Sequence, residues 1–431
     1  MNIAIVGYDV EGRSSFEYFK AGGHELTILD QDSEIVVPDG VPAVLGENYL
    51  DYLERFDLVV RTAGLEPYKL SAKNPGIEAK TTTHINEFFK ASPTRQIIGV
   101  TGTKGKGTTC SLIAGMLQAA GKDVQLGGNI GVPALSFLPK LNAGSWVVLE
   151  LSSFQLIDLQ RSPHISVCLM VTPEHLNWHS DVKEYIEAKS QLFAHQSPED
   201  IAIYYAKNRL SEQIAAVGPG QKIPYYAPPG ATIDNGVITI GGQNVCSVEE
   251  LKLLGAHNWQ NACAAVTAVW QITQDIEAMR TVLTTFSGLP HRLELVRELR
   301  GVRYYDDSFG TNPETAIAAI EAFTEPEIVI LGGRSKGASY DELAATVARH
   351  KVKKVIAIGE TADEITVKLA AAGFTDVVRG GQNITEITQQ AQQLAAPGDV
   401  VLLSTAYASF DMFKNYKQRG ELFNQAVQAL V

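Results

Sequence analysis

The sequence predicts an α/β protein of three domains, each built on a largely parallel sheet. Apolar β-type runs alternate with helical patterns along the chain, which is the order that makes strand–helix–strand units. The alternation restarts near residues 94 and 289, and 431 residues suffice for two or three ordinary domains. Glycine-rich turns follow several of the apolar runs, where open α/β sheets place their ligand loops.

The first domain, residues 1–93, opens with the strand Ile3-Ala4-Ile5-Val6 and the turn Gly7-Tyr8-Asp9-Val10-Glu11-Gly12. A helix near Ser14–Ala21 follows, then strands at Leu26–Asp30 and Leu58-Val59-Val60, a Rossmann-like order. A dinucleotide fingerprint needs glycine where Asp9 stands, so the turn argues against NAD but still suits another nucleotide's phosphate at a helix start. Asp30 is placed to accept from a ribose hydroxyl or to cap the following turn. Ala91-Ser92-Pro93 reads as a linker.

The second domain, residues 94–288, opens with the strand Gln96–Thr101 and the loop TGTKGKGTT. Gly102, Gly105 and Gly107 permit left-handed backbone and close approach to an anion. Successive N–H groups at the helix start would then form a phosphate nest. Thr103 and Lys104 lie within that loop, Lys106 is placed to reach terminal phosphates, and Thr108 or Thr109 to offer a metal-binding hydroxyl. The general pattern would want Gly at Val100 and a hydroxyl at Gly107, so the spelling is unusual. The helix carries Leu112, Ile113, Met116, Leu117 and Ala120 on one face and stops at Gly121. Strands are expected at Trp146–Leu151 and Ile165–Val171, with turns and short strands over 217–243. Glu150 and His175 follow apolar strands and suit a metal-and-phosphate site; Lys189 by itself reads as a solvated helix lysine.

The third domain, residues 289–431, has strands at Glu327–Leu331, Lys354–Ile358 and Asp399–Ser404 with helices between, again Rossmann-like. His291-Arg292 and Tyr305-Asp306-Asp307-Ser308 bracket a further strand. Arg292 has the planar fork that clamps a phosphoryl group, and Lys336 sits in the loop Gly332–Gly337, where it suits a carboxylate.

The net charge of -12 argues against nucleic acid as the main partner. No apolar run approaches the ~20 residues that span a bilayer, and the first residues read as a strand rather than a targeting signal. Cys110, Cys168, Cys246 and Cys263 lack metal-ligand spacing and read as buried thiols of a cytoplasmic protein.

Taken together the motifs resemble the ATP-dependent Mur ligases of peptidoglycan precursor synthesis, in order and over nearly the whole chain. Their shortened loop, G-x-x-G-K, matches Gly102–Lys106. Gly128–Gly131, Glu150–Gln155 and the EHLNWH stretch with Lys189 follow. Then come Gly255–Asn258 with Asn261, His291-Arg292, Asp307–Asn312, and Ala408-Ser409-Phe410-Asp411 through Lys414–Tyr416 to Gly420. The last motif and the Gly332–Gly337 loop look most like the family's D-glutamate-adding branch. Gly107 instead resembles the folylpolyglutamate spelling, which keeps a folylpolyglutamate-synthase-like glutamate ligase as the alternative.

The resemblance implies ATP and Mg2+ as cofactors, UDP-N-acetylmuramoyl-L-alanine and D-glutamate as substrates, and a monomer. It assigns ATP to Gly102–Thr109, Asn258, Asn261, Arg292 and Asp307, and metal to Thr108, Glu150, His175 and Lys189. A carbamylated Lys189 would be a hard oxygen ligand. Val10, Glu11, Thr62, Asn129, Ser152 and Gln155 are implied for the muramyl substrate, and Thr311, Lys336, Ser409 and Tyr416 for D-glutamate. Among these, Lys106, Glu150, His175, Lys189 and Asn129 are the implied catalytic set. The chain departs from the family at Phe309, where Lys is usual, at Tyr416, where Phe is, and at Asp9 and Asp32 in the uridine region.

Overall fold

The computed structural model describes residues 1–253, 255–335 and 339–431. Its first strands are β1 (Asn2–Val6), β2 (Glu25–Asp30), β3 (Ala43–Leu45), β4 (Leu58–Arg61) and β5 (Thr81–Thr83). They form a parallel sheet in the order β3-β2-β1-β4-β5. Alternation along β1 sends Ile3 and Ile5 to one core and Ala4 and Val6 to the other, so both faces are covered. The helix Val10–Ala21 begins four residues before the expected Ser14, with Asp9 extended at its N-cap. Gly12 makes this tight entry possible, since a Cβ there would lie 1.9 Å from the Gly7 carbonyl oxygen.

The second sheet comprises β6 (Ile97–Thr101), β7 (Val124–Gly128), β8 (Trp146–Glu150), β9 (Ile165–Cys168), β10 (Ile201–Tyr205) and β11 (Gln221–Tyr225). Its order is β11-β10-β9-β6-β8-β7, all parallel. The fully buried β6 therefore has β8 and β9 as neighbours, and its carboxyl end opens into the glycine loop. β9 ends at Cys168, short of the expected Val171, because the chain there turns to serve that loop: Thr103 N donates to Met170 O at 2.9 Å. A small antiparallel sheet follows, β12 (Thr232–Asp234), β13 (Val237–Ile240) and β14 (Gln243–Ser247), within and just past the stretch expected to hold short strands.

The last sheet contains β15 (Glu294–Leu299), β16 (Val302–Asp306), β17 (Glu327–Gly332), β18 (Val352–Ile358), β19 (Val377–Arg379) and β20 (Val400–Leu403). Its order is β15-β16-β20-β17-β18-β19, with only the β15–β16 hairpin antiparallel. Where one strand was expected between His291 and Tyr305, two are present.

The chain forms two compact units, Met1–Leu251 with Ala256–Phe286, and Lys252–Gly255 with Ser287–Val431. The first unit holds two of the three α/β sheets, so the first two expected domains share it. The seam between those sheets is polar and buried. Arg61, at the end of β4, donates to both carboxylate oxygens of Asp158 at 3.1 and 2.9 Å and to the carbonyls of Thr62, Leu65 and Phe154. Its side chain is wholly buried, and these acceptors offset the cost of burying a cation. His84 is held neutral, its pKa pushed down to about 3 by burial, and its ring accepts from Leu135 N at 3.2 Å.

Candidate active site

The loop between β6 and the helix Lys106–Ala119 is shaped by its glycines. Gly102 has φ 149 and Gly105 φ 85, a region that disfavours side chains. A Cβ on Gly102 would meet the Leu169 Cβ at 2.7 Å, and one on Gly105 the Asn261 Oδ1 at 2.3 Å. Asn261 is therefore packed against the loop, and its amide donates to Asn258 Oδ1 at 2.9 Å. Two residues from far along the chain, Asn261 directly and Asn258 through it, are thus tied to the loop.

Lys106 Nζ donates to the carbonyls of Gly102 and Thr103, both at 3.0 Å. Lys189 is not the solvated lysine that its helix alone suggests: it is 2 % exposed, and its amine donates to the same Gly102 carbonyl at 3.0 Å. Its pKa is lowered to about 7, by burial first and by the Lys106 charge second. Among the described residues no carboxylate forms an ion pair with Lys189. Thr103 fixes the other side of the loop through Tyr185, hydroxyl to hydroxyl at 2.9 Å, and Thr172 N donates to its oxygen. Lys104 is exposed.

Glu150 ends β8 and is buried; its Oε1 accepts from Asn129 Nδ2 at 2.8 Å, while Asn129 N donates to Glu150 O. Thr108 and Thr109 are buried at the helix start, and the Thr109 hydroxyl has no hydrogen-bond partner among the described residues. Carboxylate and hydroxyl oxygens beside a glycine loop are a donor set that fits Mg2+, which takes hard oxygen ligands. His175 is half-exposed, holds a left-handed φ of 60, and packs its ring 4.9 Å from that of Phe154. Its pKa is lowered by partial burial, with Glu174 opposing and the Lys106 and Lys189 charges adding to the fall. The structure thus gathers electrostatically linked Lys106, Lys189 and His175, with Glu150 at the end of β8, next to β6, bonded to Asn129 just past the end of β7.

The residues implied for the muramyl substrate meet across the seam. The Gln155 amide donates to Glu11, and Ser152 caps the short Ser153–Leu156 helix in a box with Gln155. Burial raises the Glu11 pKa, and the Gln155 hydrogen bond opposes it. Thr62 lies directly under Gly7, and Val10 is exposed at the helix start. Asp30 does not stand free for a ribose: Oδ2 accepts from Tyr8 N at 2.6 Å and Oδ1 from Asp32 N at 2.9 Å, so it is the turn cap.

In the second unit, Asp307 is buried with its pKa raised to about 7, by burial above all, against a 2.7 Å hydrogen bond from Ser404 and the nearby Arg292 charge. Arg292 lies over the ring of Phe309, 4.6 Å from its centroid. Ser409 is buried and Thr311 half-buried, and Tyr416 begins the Tyr416–Gln428 helix. Lys336 lies outside the described residues. His291, Glu294 and Asp306 come together, but their atoms serve one another: His291 Nδ1 bonds Asp306 at 2.7 Å and His291 N donates to Glu294 at 2.8 Å. Two groups escaped the sequence reading. His179 bonds Ser153 at 2.9 Å beneath the His175 loop, and buried Arg419 donates to Ser308 and to the Tyr407 carbonyl. The repeated imidazole in EHLNWH, four residues after His175, was the available signal for the first.

A glycine loop on a buried parallel strand, two lysines on one loop carbonyl and an acid on the neighbouring strand define a P-loop nucleotide-dependent enzyme. Residues 100–269 match the Mur ligase middle domain, and residues 291–407 the Mur ligase glutamate ligase domain. The chain belongs to the Mur ligase family. It is 36% identical to a UDP-N-acetylmuramoylalanine–D-glutamate ligase of Symbiobacterium thermophilum, over 99% of this chain and 98% of that one. A second ligase of that name, from Acetivibrio thermocellus, is 35% identical over 99% and 96%. Among solved structures, the MurF ligase of Thermotoga maritima in complex with ADP superposes with a TM-score of 0.59 at 17% identity, over 99% and 94% of the two chains.

Proposed function

We propose that the chain is an ATP-dependent ligase that adds D-glutamate to UDP-N-acetylmuramoyl-L-alanine. One observation carries most weight: the side chains of Lys106 and Lys189 converge on the Gly102 carbonyl at the mouth of the glycine loop, so the amine that suits terminal phosphates stands beside the one that carbamylation would turn into a metal ligand. The near full-length likeness to D-glutamate ligases supports the choice of substrates.

A carboxylate is a poor electrophile, so the reaction needs activation. An oxygen of the alanyl carboxylate attacks the γ-phosphorus, the bond to ADP breaks, and an acyl phosphate forms. The glutamate amine then attacks the acyl carbon, phosphate leaves with the bonding pair, and the amine loses a proton as the amide forms. Lys106 and the loop N–H groups hold the transferring phosphoryl group. The family likeness supports nucleotide-binding roles for Asn258, Asn261, Arg292 and Asp307. Thr108, Glu150, His175 and a carbamylated Lys189 would hold Mg2+. When bound, the ion supplies Lewis acidity toward phosphate oxygens.

Asn129, Ser152 and Gln155, with Val10, Glu11 and Thr62, address the muramyl substrate. Thr311, Lys336, Ser409 and Tyr416 address D-glutamate. The functional division follows residues 1–93, 94–288 and 289–431, in a monomer working in the cytoplasm, where ATP and UDP-sugars are made. Phosphate release with ATP, Mg2+ and UDP-N-acetylmuramoyl-L-alanine should occur with D-glutamate across a panel of amino acids. Turnover only with another amino acid, or only with a pterin acceptor, overturns this substrate assignment.

A further inference from the structure

Phe309 has surroundings that burial does not explain. The residue is 43% exposed, yet its ring contacts both a guanidinium and a second ring. The Arg292 guanidinium covers its face at 4.6 Å, and the Tyr416 ring stands nearly perpendicular to it at 5.2 Å between centroids, with an interplanar angle of 86°. Phe309 N donates to His291 O at 2.9 Å, which ties it to the segment carrying Arg292. That segment is itself tightly turned, since His291 and Leu293 both hold left-handed backbone, at φ 63 and 44. On the other side, Ser308 Oγ donates to Tyr416 O at 2.9 Å, so the neighbour of Phe309 anchors the start of the tyrosine's helix.

A ring presents a negative face and a positive edge, so it can hold a cation on one and a second ring on the other at once. A lysine at 309 would repel Arg292 instead. We propose that Phe309 is a positioning residue that sets Arg292 and Tyr416 as one unit, coupling the nucleotide-binding arginine to the glutamate-binding tyrosine. This rests on the roles given to those two residues above.

Steady-state kinetics on the full chain test it. Phe309→Leu should raise KM for both ATP and D-glutamate about 3–10-fold while the thermal midpoint stays within about 1 °C, as expected of a half-exposed side chain. Phe309→Tyr, which keeps the ring, should recover most of both losses. In Arg292→Ala, adding Phe309→Leu should raise KM for ATP no further. A rise in only one KM, losses that track a falling midpoint, or a Tyr variant as impaired as the Leu variant overturns the proposal. If Arg292→Ala and Tyr416→Ala leave both KM values unchanged, the roles of those residues fail first. If both are impaired and Phe309→Leu is silent, only the coupling fails.

Discussion

The amines of Lys106 and Lys189 donate to one and the same carbonyl oxygen, that of Gly102, each at 3.0 Å. In the unmodified protein each amine disfavours the charge of the other, and burial of Lys189 sharpens that repulsion. Such an arrangement is poor for stability and good for gripping an anion. Lys106→Met should therefore lower turnover roughly 10²–10³-fold, the scale of losing one preorganised charge. Its Tm should stay within about 2 °C of wild type, because relief of repulsion offsets the lost hydrogen bonds. Calorimetry beside the phosphate assay checks both, and a large fall in Tm would mean that the lysine is structural.

Lys189 is buried, faces the loop, and forms no ion pair with a carboxylate among the described residues. Carbamylation would turn this amine into the oxygen ligand a divalent cation prefers. Protein equilibrated with 13C-bicarbonate should show a carbamate carbon resonance that Lys189→Arg abolishes, with turnover down by roughly 10²-fold or more. A fully active Arg variant would rule the carbamate out.

The two threonines at the helix start make separable predictions. Thr108→Val should raise the Mg2+ concentration needed for half-maximal turnover by about tenfold. Thr109 has a buried hydroxyl without a hydrogen-bond partner among the described residues, so Thr109→Val should keep turnover and gain about 1 kcal/mol, or roughly 2–4 °C. If instead Thr109→Val loses Mg2+-dependent turnover, the metal hydroxyl belongs to Thr109.

Glu327 gives a pH dependence remote from this chemistry. It starts β17 fully buried; neither carboxylate oxygen has a hydrogen-bond partner among the described residues, and His350 Nδ1 stands 3.8 Å away. Its pKa is raised from 4.5 to about 8, by burial first and the Glu325 charge second. The folded state thus holds this proton more tightly than the unfolded chain. The stability it leaves intact below about pH 4.5 is lost as pH rises through about 8. Glu327→Gln should gain Tm over wild type increasingly across that window. A difference that does not change with pH would remove the account.

The parallel strands were legible because buried strands read as unbroken apolar runs, as in IIGVT and EIVILG. The β15–β16 hairpin was not, since ELVREL and VRYYD mix charges into both strands and blur the turn between them. The glycine loop between β6 and its helix was legible locally, through three glycines and two lysines within nine residues. What escaped was long-range. Nothing near Lys189 in sequence reports that its amine folds onto a loop 87 positions away. Likewise Glu11 and Gln155, 144 positions apart, are linked only by the packing of two sheets. For Asp30 the sequence left two roles open, ribose acceptor or turn cap, and both of its oxygens accept from the turn.

The Arg61 side chain, sealed between β4 and Asp158, also bears on how this chain can be cut and recombined. Were residues 1–93 exchanged for the corresponding piece of a relative, Asp158 and the Phe154 carbonyl would lose their shared donor, and Gln155 its acceptor. A hybrid would inherit mismatched halves of one lock. Grafts would be expected to fold well only when Glu11 and Arg61 travel with their acceptors on the receiving side, which makes the N-terminal sheet a co-adapted part and not an interchangeable module.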